Sequence, residues 1–199
     1  RGPRAVAELI GFYNDYDNLI GNDTVSGGGD GSGDQFNGGA AEVRGVEAAL
    51  GLDLAPARSS VALPFRLAYS YTSGEFRTTF LTTFPDWAPK VERGDKLPYI
   101  PEHQLYAGVG LEEKRWTLNL DANYTGEMRT RAGRAQTPDE ILEERLILDL
   151  RTDFKITSRL SLWAQLLNAT DEVYVASRRP AGLRPGRPRA ALFGLTFDF

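Results

Sequence analysis

The residues best suited to binding chemistry are a group of arginines near the end of the chain. The segment SRRPAGLRPGRPR, residues 177–189, contains five arginines and no acidic residue. A guanidinium group presents a fork of donors that matches the oxygens of a carboxylate or a phosphate. The predicted anion-binding side chains are Arg178, Arg179, Arg184 and Arg187. The alternative is a solvated loop, because exposed charge runs usually bind nothing.

A second set of polar residues recurs at every other position of strand-like segments. In WTLNLDANYT, residues 116–125, apolar and polar side chains alternate, and RLILDLRTDFKI, residues 145–156, repeats the pattern. Successive side chains of a strand point to opposite faces, so one face of each segment is polar. The polar ladder predicted from these and similar segments consists of Arg66, Asp121, Asn123, Asp149, Arg151 and Asp153. Cross-strand ion pairing is the alternative to a binding role for these groups.

The remaining chemistry is sparse and predicts neither an enzyme nor a metal or cofactor site. His103 is the only histidine, and there is no cysteine. One histidine without a partner makes neither a catalytic triad nor a metal cluster. The net charge of −4 argues against a nucleic-acid partner.

The elements that must position these residues are predicted to be strands. The chain has 21 glycines and 11 prolines, which favour turns over long helices. Period-two alternation predicts eight strands, at about 5–20, 42–54, 62–76, 98–112, 115–127, 143–157, 160–175 and 189–199. Short connections at APARSS, EEKR and TSR alternate with long ones at roughly 21–41, 77–97, 128–142 and 176–188. Short turns at one end and long loops at the other are typical of transmembrane β-barrels.

Alternation alone does not tell whether the apolar face meets a protein core or lipid. No run of 18 or more apolar residues is present, which argues against a membrane-spanning helix. Several predicted strands are long enough to cross a bilayer at a tilt. Aromatic residues lie near strand ends on the apolar face, as interfacial girdles require: Tyr69, Tyr71, Trp116, Tyr124 and Phe199. These features favour a membrane barrel over a soluble β-fold.

Four segments, in order, resemble the C-terminal barrel strands of TonB-dependent outer-membrane receptors. They are AELIGFYNDYDNLI (7–20), VRGVEAALGLDL (43–54), GDKLPYIPEHQLYAGVGL (94–111) and the run from LLNATDEVY to the terminal FDF (166–199). The likeness is greatest to the ferric siderophore and ferric citrate branch of that family.

The resemblance implies an all-β, antiparallel transmembrane β-barrel segment, about eight strands of a barrel of about 22 strands. Residues 1–199 are then expected to be the C-terminal part of a receptor in the bacterial outer membrane, without the plug domain and the N-terminal barrel strands. The implied function is TonB-dependent uptake of a ferric siderophore or similar chelate. Two alternatives stay open: a self-contained eight-stranded outer-membrane barrel with a structural or adhesive role, and a soluble ligand-binding β-barrel.

The resemblance also implies partners for particular residues. The loop arginines suit an anionic ferric chelate or a lipopolysaccharide phosphate, the polar ladder is expected to face the barrel lumen, and the apolar face is expected to meet outer-membrane lipid. TonB would bind through the missing N-terminal part. A last strand ending on an aromatic residue resembles the signal read by the barrel-assembly machinery, here Phe193, Leu195, Phe197 and Phe199.

Overall fold

A computed structural model describes residues 4–22, 35–82, 88–133, 137–178 and 182–198. Its strands are numbered along the chain. Eight of them form the main sheet: β1 (Ala5–Tyr16), β4 (Ala41–Asp53), β5 (Pro64–Phe76), β8 (His103–Glu112), β9 (Trp116–Thr125), β12 (Arg145–Lys155), β13 (Leu160–Leu167) and β16 (Ala190–Phe197). They follow one another in chain order, each antiparallel to the next. The prediction of an antiparallel sheet of eight strands is confirmed.

The connections at the two ends of the sheet differ in size. At one end of the sheet, three turns span residues 54–63, 113–115 and 156–159. The other end is called the outer end. Each of its four connections contains a two-stranded ribbon. The ribbons pair β2 (Ile20–Asn22) with β3 (Gln35–Asn37), β6 (Phe80–Leu81) with β7 (Lys90–Val91), β10 (Met128–Arg129) with β11 (Ile141–Leu142), and β14 (Val175–Ser177) with β15 (Arg184–Pro185). A 3₁₀-helix at Pro138–Glu140 precedes β11.

Several main strands are shorter than the sequence predicted, for local backbone reasons. The first ends at Tyr16 rather than at residue 20, and the seventh ends at Leu167 rather than at residue 175. Asn18 and Asn168, which follow these ends, have φ of 55° and 48°. Asparagine tolerates this left-handed conformation better than most residues, and it breaks the extended chain. The fourth strand begins at His103 rather than at residue 98, since Pro98 and Pro101 cannot donate ladder hydrogen bonds.

The sheet has two faces, set by its register. One row of aligned residues crosses Leu9, Ala48, Tyr69, Leu105 and Tyr124, and it belongs to the apolar face. A row on the opposite, polar face crosses Gly51, Arg66, Gly108, Asp121 and Asp149. The apolar face is open to its surroundings along most of its length.

Buried apolar packing is concentrated at the outer end and not over the sheet. Phe76 and Val91 are buried there together with Ala41 and Ala132, and Leu19, Phe80 and Leu97 pack against them. Phe76 and Phe80 meet edge to face, with ring centroids 5.5 Å apart. This cluster joins the bases of the long connections, so it holds the outer loops against the sheet.

The two edges of the sheet are β1 and β16, and within the described residues they do not pair with each other. A self-contained eight-stranded barrel requires that pairing to close its ring. A soluble barrel requires its apolar residues inside, whereas Leu9, on the apolar face, is 76% exposed and Phe193 is 81% exposed. Neither of the two alternative architectures agrees with this open, single-layer sheet.

Candidate functional site

The apolar face carries aromatic side chains near both ends of the strands. Near the outer end, the Tyr69 hydroxyl lies 2.8 Å from Nδ1 of His103, and the Tyr71 ring lies 5.3 Å from the His103 ring. Tyr124 donates a hydrogen bond of 2.5 Å to Oε2 of Glu144. Near the opposite end, the aromatic residues are Phe65, Trp116, Phe154 and Phe197. Aromatic residues in a band near each end of the strands are the arrangement typical of the girdles of a membrane-spanning sheet.

Charged pairs lie beyond the outer girdle. Arg77 donates a hydrogen bond of 2.5 Å to Asp15 and lies 3.8 Å from Glu42, and Lys96 lies 2.7 Å from Glu102. The hydrogen bond to the Asp15 carboxylate raises the pKa of the Arg77 guanidinium above its ordinary value. Exposed pairs of this kind contribute little to stability. They mark the level at which the apolar face gives way to a polar environment.

The register places all six residues of the predicted polar ladder on the polar face. Asp121 lies directly opposite Asp149, so the cross-strand pairing here joins two acids and not an acid with a base. Each carboxylate has its own donor: the Tyr106 hydroxyl lies 2.5 Å from Asp121, and the backbone N–H of Asn168 donates to Asp149 at 2.8 Å. These donors offset the repulsion expected of like charges on facing positions.

Glycines on the polar face make room for large side chains. The Tyr106 hydroxyl lies over Gly108, where an added Cβ would be 2.5 Å from it. The Trp163 indole lies over Gly194, where an added Cβ would be 2.6 Å from Cζ2 of the ring. A larger residue at either glycine would collide with the ring that lies over it.

Arg151 and Asp153 are joined along one strand instead of across two. Nε and Nη2 of Arg151 donate to the two carboxylate oxygens of Asp153 at 2.9 and 3.0 Å. The Arg151 guanidinium carbon also lies 5.9 Å from the centre of the Trp163 ring. This forked pair is satisfied by its neighbours, so its charges are compensated locally.

The polar face carries a cavity of about 300 Å³ at its outer end. Its lining combines the ends of β9 and β12 with the connection between β13 and β16: Asn123, Thr125, Arg145, Ile147, Asp149, Asn168, Tyr174 and Arg187. Two members of the predicted polar ladder, Asn123 and Asp149, belong to it. So does one of the predicted loop arginines, Arg187.

The other predicted loop arginines lie elsewhere. Arg184 is exposed in β15 and does not line the cavity. Arg178 is half-buried, and its Nε has no hydrogen-bond partner among the described residues. Arg179 lies outside the residues that the structure describes, as does Phe199. Their roles stay predictions.

Sequence reasoning missed the residues that shape this cavity. Arg145 appeared only as one polar position of an alternating strand, and Asn168 and Tyr174 only as part of a family motif. The Asn168 amide donates to the carbonyl oxygens of Glu172 and Arg187, both at 2.9 Å, and accepts a bond from the N–H of Glu172 at 2.9 Å. The feature of the sequence that could have indicated this loop is an asparagine directly after the predicted strand, because asparagine side chains commonly bond the backbone of turns.

Among the residues that the structure describes, no helix has the length and apolar character needed to cross a membrane. The same residues contain no group of three or more His, Asp or Glu side chains that could hold a metal ion.

Comparison with known proteins agrees with this architecture. The family described as TonB dependent receptor-like, beta-barrel, matches residues 2–169. Among curated proteins no relative matches the chain. Among solved structures, the ferric-catecholate import receptor Fiu from Escherichia coli K12 is 20% identical with a TM-score of 0.66, over 98% of this chain and 25% of that one.

Two other solved structures show the same likeness. The siderophore receptor PiuA from Acinetobacter baumannii is 14% identical with a TM-score of 0.71, over 98% of this chain and 26% of that one. The copper transporter OprC is 17% identical with a TM-score of 0.68, over 100% of this chain and 29% of that one. At these identities the likeness shows the fold, and the chain spans about a quarter of the length of each structure.

The family match covers most of the chain, and the open eight-stranded sheet corresponds to a portion of the family's barrel. The chain belongs to the TonB-dependent receptor β-barrel family, whose members are receptors and transporters of the bacterial outer membrane.

Proposed function

We propose that this chain is the C-terminal part of the barrel of a receptor that takes up a ferric siderophore or a similar ferric chelate with energy from TonB. The observation that carries the proposal is a polar sheet face whose cavity opens among the long connections of a TonB-dependent receptor barrel. Fiu and PiuA are named as receptors for ferric catecholates and siderophores. The plug domain and the remaining strands would precede this chain.

A chelate agrees better with the cavity than a bare metal ion does, although OprC is named as a copper transporter. Arg145 and Arg187 line the cavity, and arginine side chains bind oxygen-rich anions and repel free cations. The described residues offer no cluster of three metal-binding side chains.

The proposal includes partners for the rest of the surface. The polar face lines the lumen, where it meets water and the plug, and the apolar face contacts outer-membrane lipid. The exposed loop arginines, among them Arg184, are available to lipopolysaccharide phosphates. TonB binds through the part of the receptor that precedes this chain, and the barrel-assembly machinery reads the last strand.

Uptake of labelled ferric chelates by cells that carry the full-length gene tests the proposal. We expect accumulation of iron in a strain without other ferric receptors, and we expect it to stop when TonB is deleted, because the family's transport step needs that energy source. Equal uptake without TonB would contradict the proposal. So would accumulation of copper with no ferric chelate taken up.

The last strand provides a separate prediction about assembly. Deleting Phe199 from the full-length receptor is expected to slow its insertion, because the machinery that folds outer-membrane barrels would lose the terminal aromatic residue of its signal. The measurement is the appearance of the heat-modifiable, folded band on cold gels after a pulse of synthesis. Asp198→Asn is the control, since it alters the neighbouring polar-face residue and keeps the aromatic end. Unchanged insertion without Phe199 would refute the assignment.

A further inference from the structure

The cavity at the outer end of the polar face contains an arginine whose position is fixed by its surroundings. The guanidinium carbon of Arg145 lies 5.2 Å from the centre of the Tyr174 ring, within the range of a cation–π contact. The same ring lies against the backbone of Gly186, where a Cβ would overlap it. The Tyr174 hydroxyl accepts a bond of 3.4 Å from the N–H of Arg187.

The loop that carries Tyr174 is itself braced. The Asn168 side chain bonds the backbone of Glu172 and Arg187, and the N–H of Gly186 donates to the carbonyl oxygen of Tyr174 at 2.8 Å. A guanidinium held in this way is preorganised, so less freedom is lost when a ligand binds to it.

The charges of the cavity are not balanced within the described part of the chain. Two cationic residues, Arg145 and Arg187, belong to the lining, whereas its one acid, Asp149, already accepts a bond from the backbone of Asn168. The lining therefore has an excess of positive charge, which favours an anion in the cavity.

We infer that the outer cavity binds a carboxylate of the cargo through Arg145, and that it thereby selects anionic chelates over neutral and cationic ones. The inference rests on the proposed function and names the cargo class. A volume of about 300 Å³ is at the lower limit of small-molecule sites, so the cavity accommodates one carboxylate-bearing arm and not a whole chelate. Its place among the long connections exposes it to incoming cargo.

Binding of free citrate to the purified full-length receptor tests the cavity without iron. We expect citrate to bind the wild-type receptor. Arg145→Gln should weaken that binding about tenfold to a hundredfold, because it removes a charge-assisted hydrogen bond. Arg145→Lys should retain part of the affinity, because it keeps the charge and loses the fork. Arg151→Gln is the matched control: it lies on the same strand and face, but its guanidinium is occupied by Asp153.

A second variant keeps the test valid if Arg145→Gln does not fold. Gly186→Ala should weaken citrate binding with Arg145 intact, because the new methyl group displaces the Tyr174 ring. Gly51→Ala is its control, since nothing lies within 4 Å of an added Cβ there. Equal affinity for citrate in the wild type and both altered receptors would overturn the inference.

Ferric chelates of different charge then separate this inference from the proposed function. Arg145→Gln should lose ferric citrate, an anion, and keep its affinity for a neutral or cationic hydroxamate chelate. Equal losses for all chelates would overturn the inference. If citrate binds as expected and no ferric chelate is taken up, the proposed function fails and the anion site stands. If ferric chelates are taken up and Arg145→Gln changes neither citrate binding nor uptake, the proposed function stands and the anion site is refuted.

The remaining occupant to test is an acidic side chain from the part of the receptor that precedes this chain. In that case Arg145→Gln would lower the thermal unfolding temperature of the full-length receptor and leave citrate binding unchanged. That result would overturn the inference of a cargo site.

Discussion

Replacing Leu50 by Arg in the full-length receptor is expected to abolish most of its assembly into the outer membrane. Leu50 lies on the apolar face of β4, aligned with Ala7 on one neighbouring strand and Leu67 on the other. It is the third of five apolar positions at every second residue from Val46 to Leu54, so we expect its side chain to meet the middle of the lipid layer. An arginine on the lipid face near the middle of a bilayer costs about 2–4 kcal/mol.

The chain offers a closely matched control at the preceding residue. Ala49 also belongs to β4, but it lies on the polar face opposite Glu8 and Ala68 and next to an open concavity of about 450 Å³. An arginine at position 49 has water and a carboxylate within reach, so Ala49→Arg should assemble far better. Leu50→Met changes the side chain at the test position without adding a charge, and it should be tolerated.

The first measurement is the amount of heat-modifiable, folded receptor in outer-membrane fractions. The second is the free energy of unfolding in denaturant, measured on the receptor reconstituted into lipid vesicles. Equal assembly of Leu50→Arg and Ala49→Arg would show that the apolar face does not meet lipid. The proposal that this face contacts lipid would then be wrong, whereas the eight-stranded sheet itself would be unaffected.

Replacing Gly45 by Ala is expected to destabilise the barrel by about 1–3 kcal/mol, the usual cost of overpacking. Gly45 lies in β4, and a Cβ added to it would overlap the carbonyl oxygen of Tyr71 and come within 2.7 Å of Cζ of Phe12. The Phe12 ring can move, whereas the carbonyl belongs to the neighbouring strand. The methyl group therefore forces a shift in the ladder between β4 and β5.

Gly51→Ala is the control for this effect, because Gly51 is six residues further along the same strand and on the same face, with nothing within 4 Å of an added Cβ. The same substitution there should be neutral or stabilise slightly, since alanine restricts the unfolded chain more than glycine does. The free energy of unfolding of the full-length receptor in lipid vesicles distinguishes the two variants. Equal stabilities would mean that Phe12 and the β4–β5 register adapt freely.

The strands were predictable because their signal is local. In WTLNLDANYT every second side chain is apolar, and residues 116–125 form β9 with that alternation on its two faces. The strand ends were less predictable. The left-handed conformations of Asn18 and Asn168 end β1 and β13 early, and asparagine adopts that conformation only where the surrounding loop requires it.

The outer cavity was not predictable in the same way, because its parts are distant in the chain. Arg145 precedes Tyr174 by 29 residues and Arg187 by 42, and only the pairing of β12 with β13 and the bracing by Asn168 bring them together. The loop arginines seemed alike in the sequence, yet among those described Arg187 lines the cavity and Arg184 does not.

The sequence by itself determined the all-β class, the eight strands, the unequal connections at the two ends and the division of the strands into an apolar and a polar face. Each of these depends on the type and spacing of neighbouring residues, which act over a few positions of the backbone. The tertiary structure decided the rest: that Asp121 faces Asp149, that β1 and β16 remain the edges of an open sheet, and that Arg145 lies over Tyr174. These depend on strand register and loop packing, which only the complete set of long-range contacts specifies.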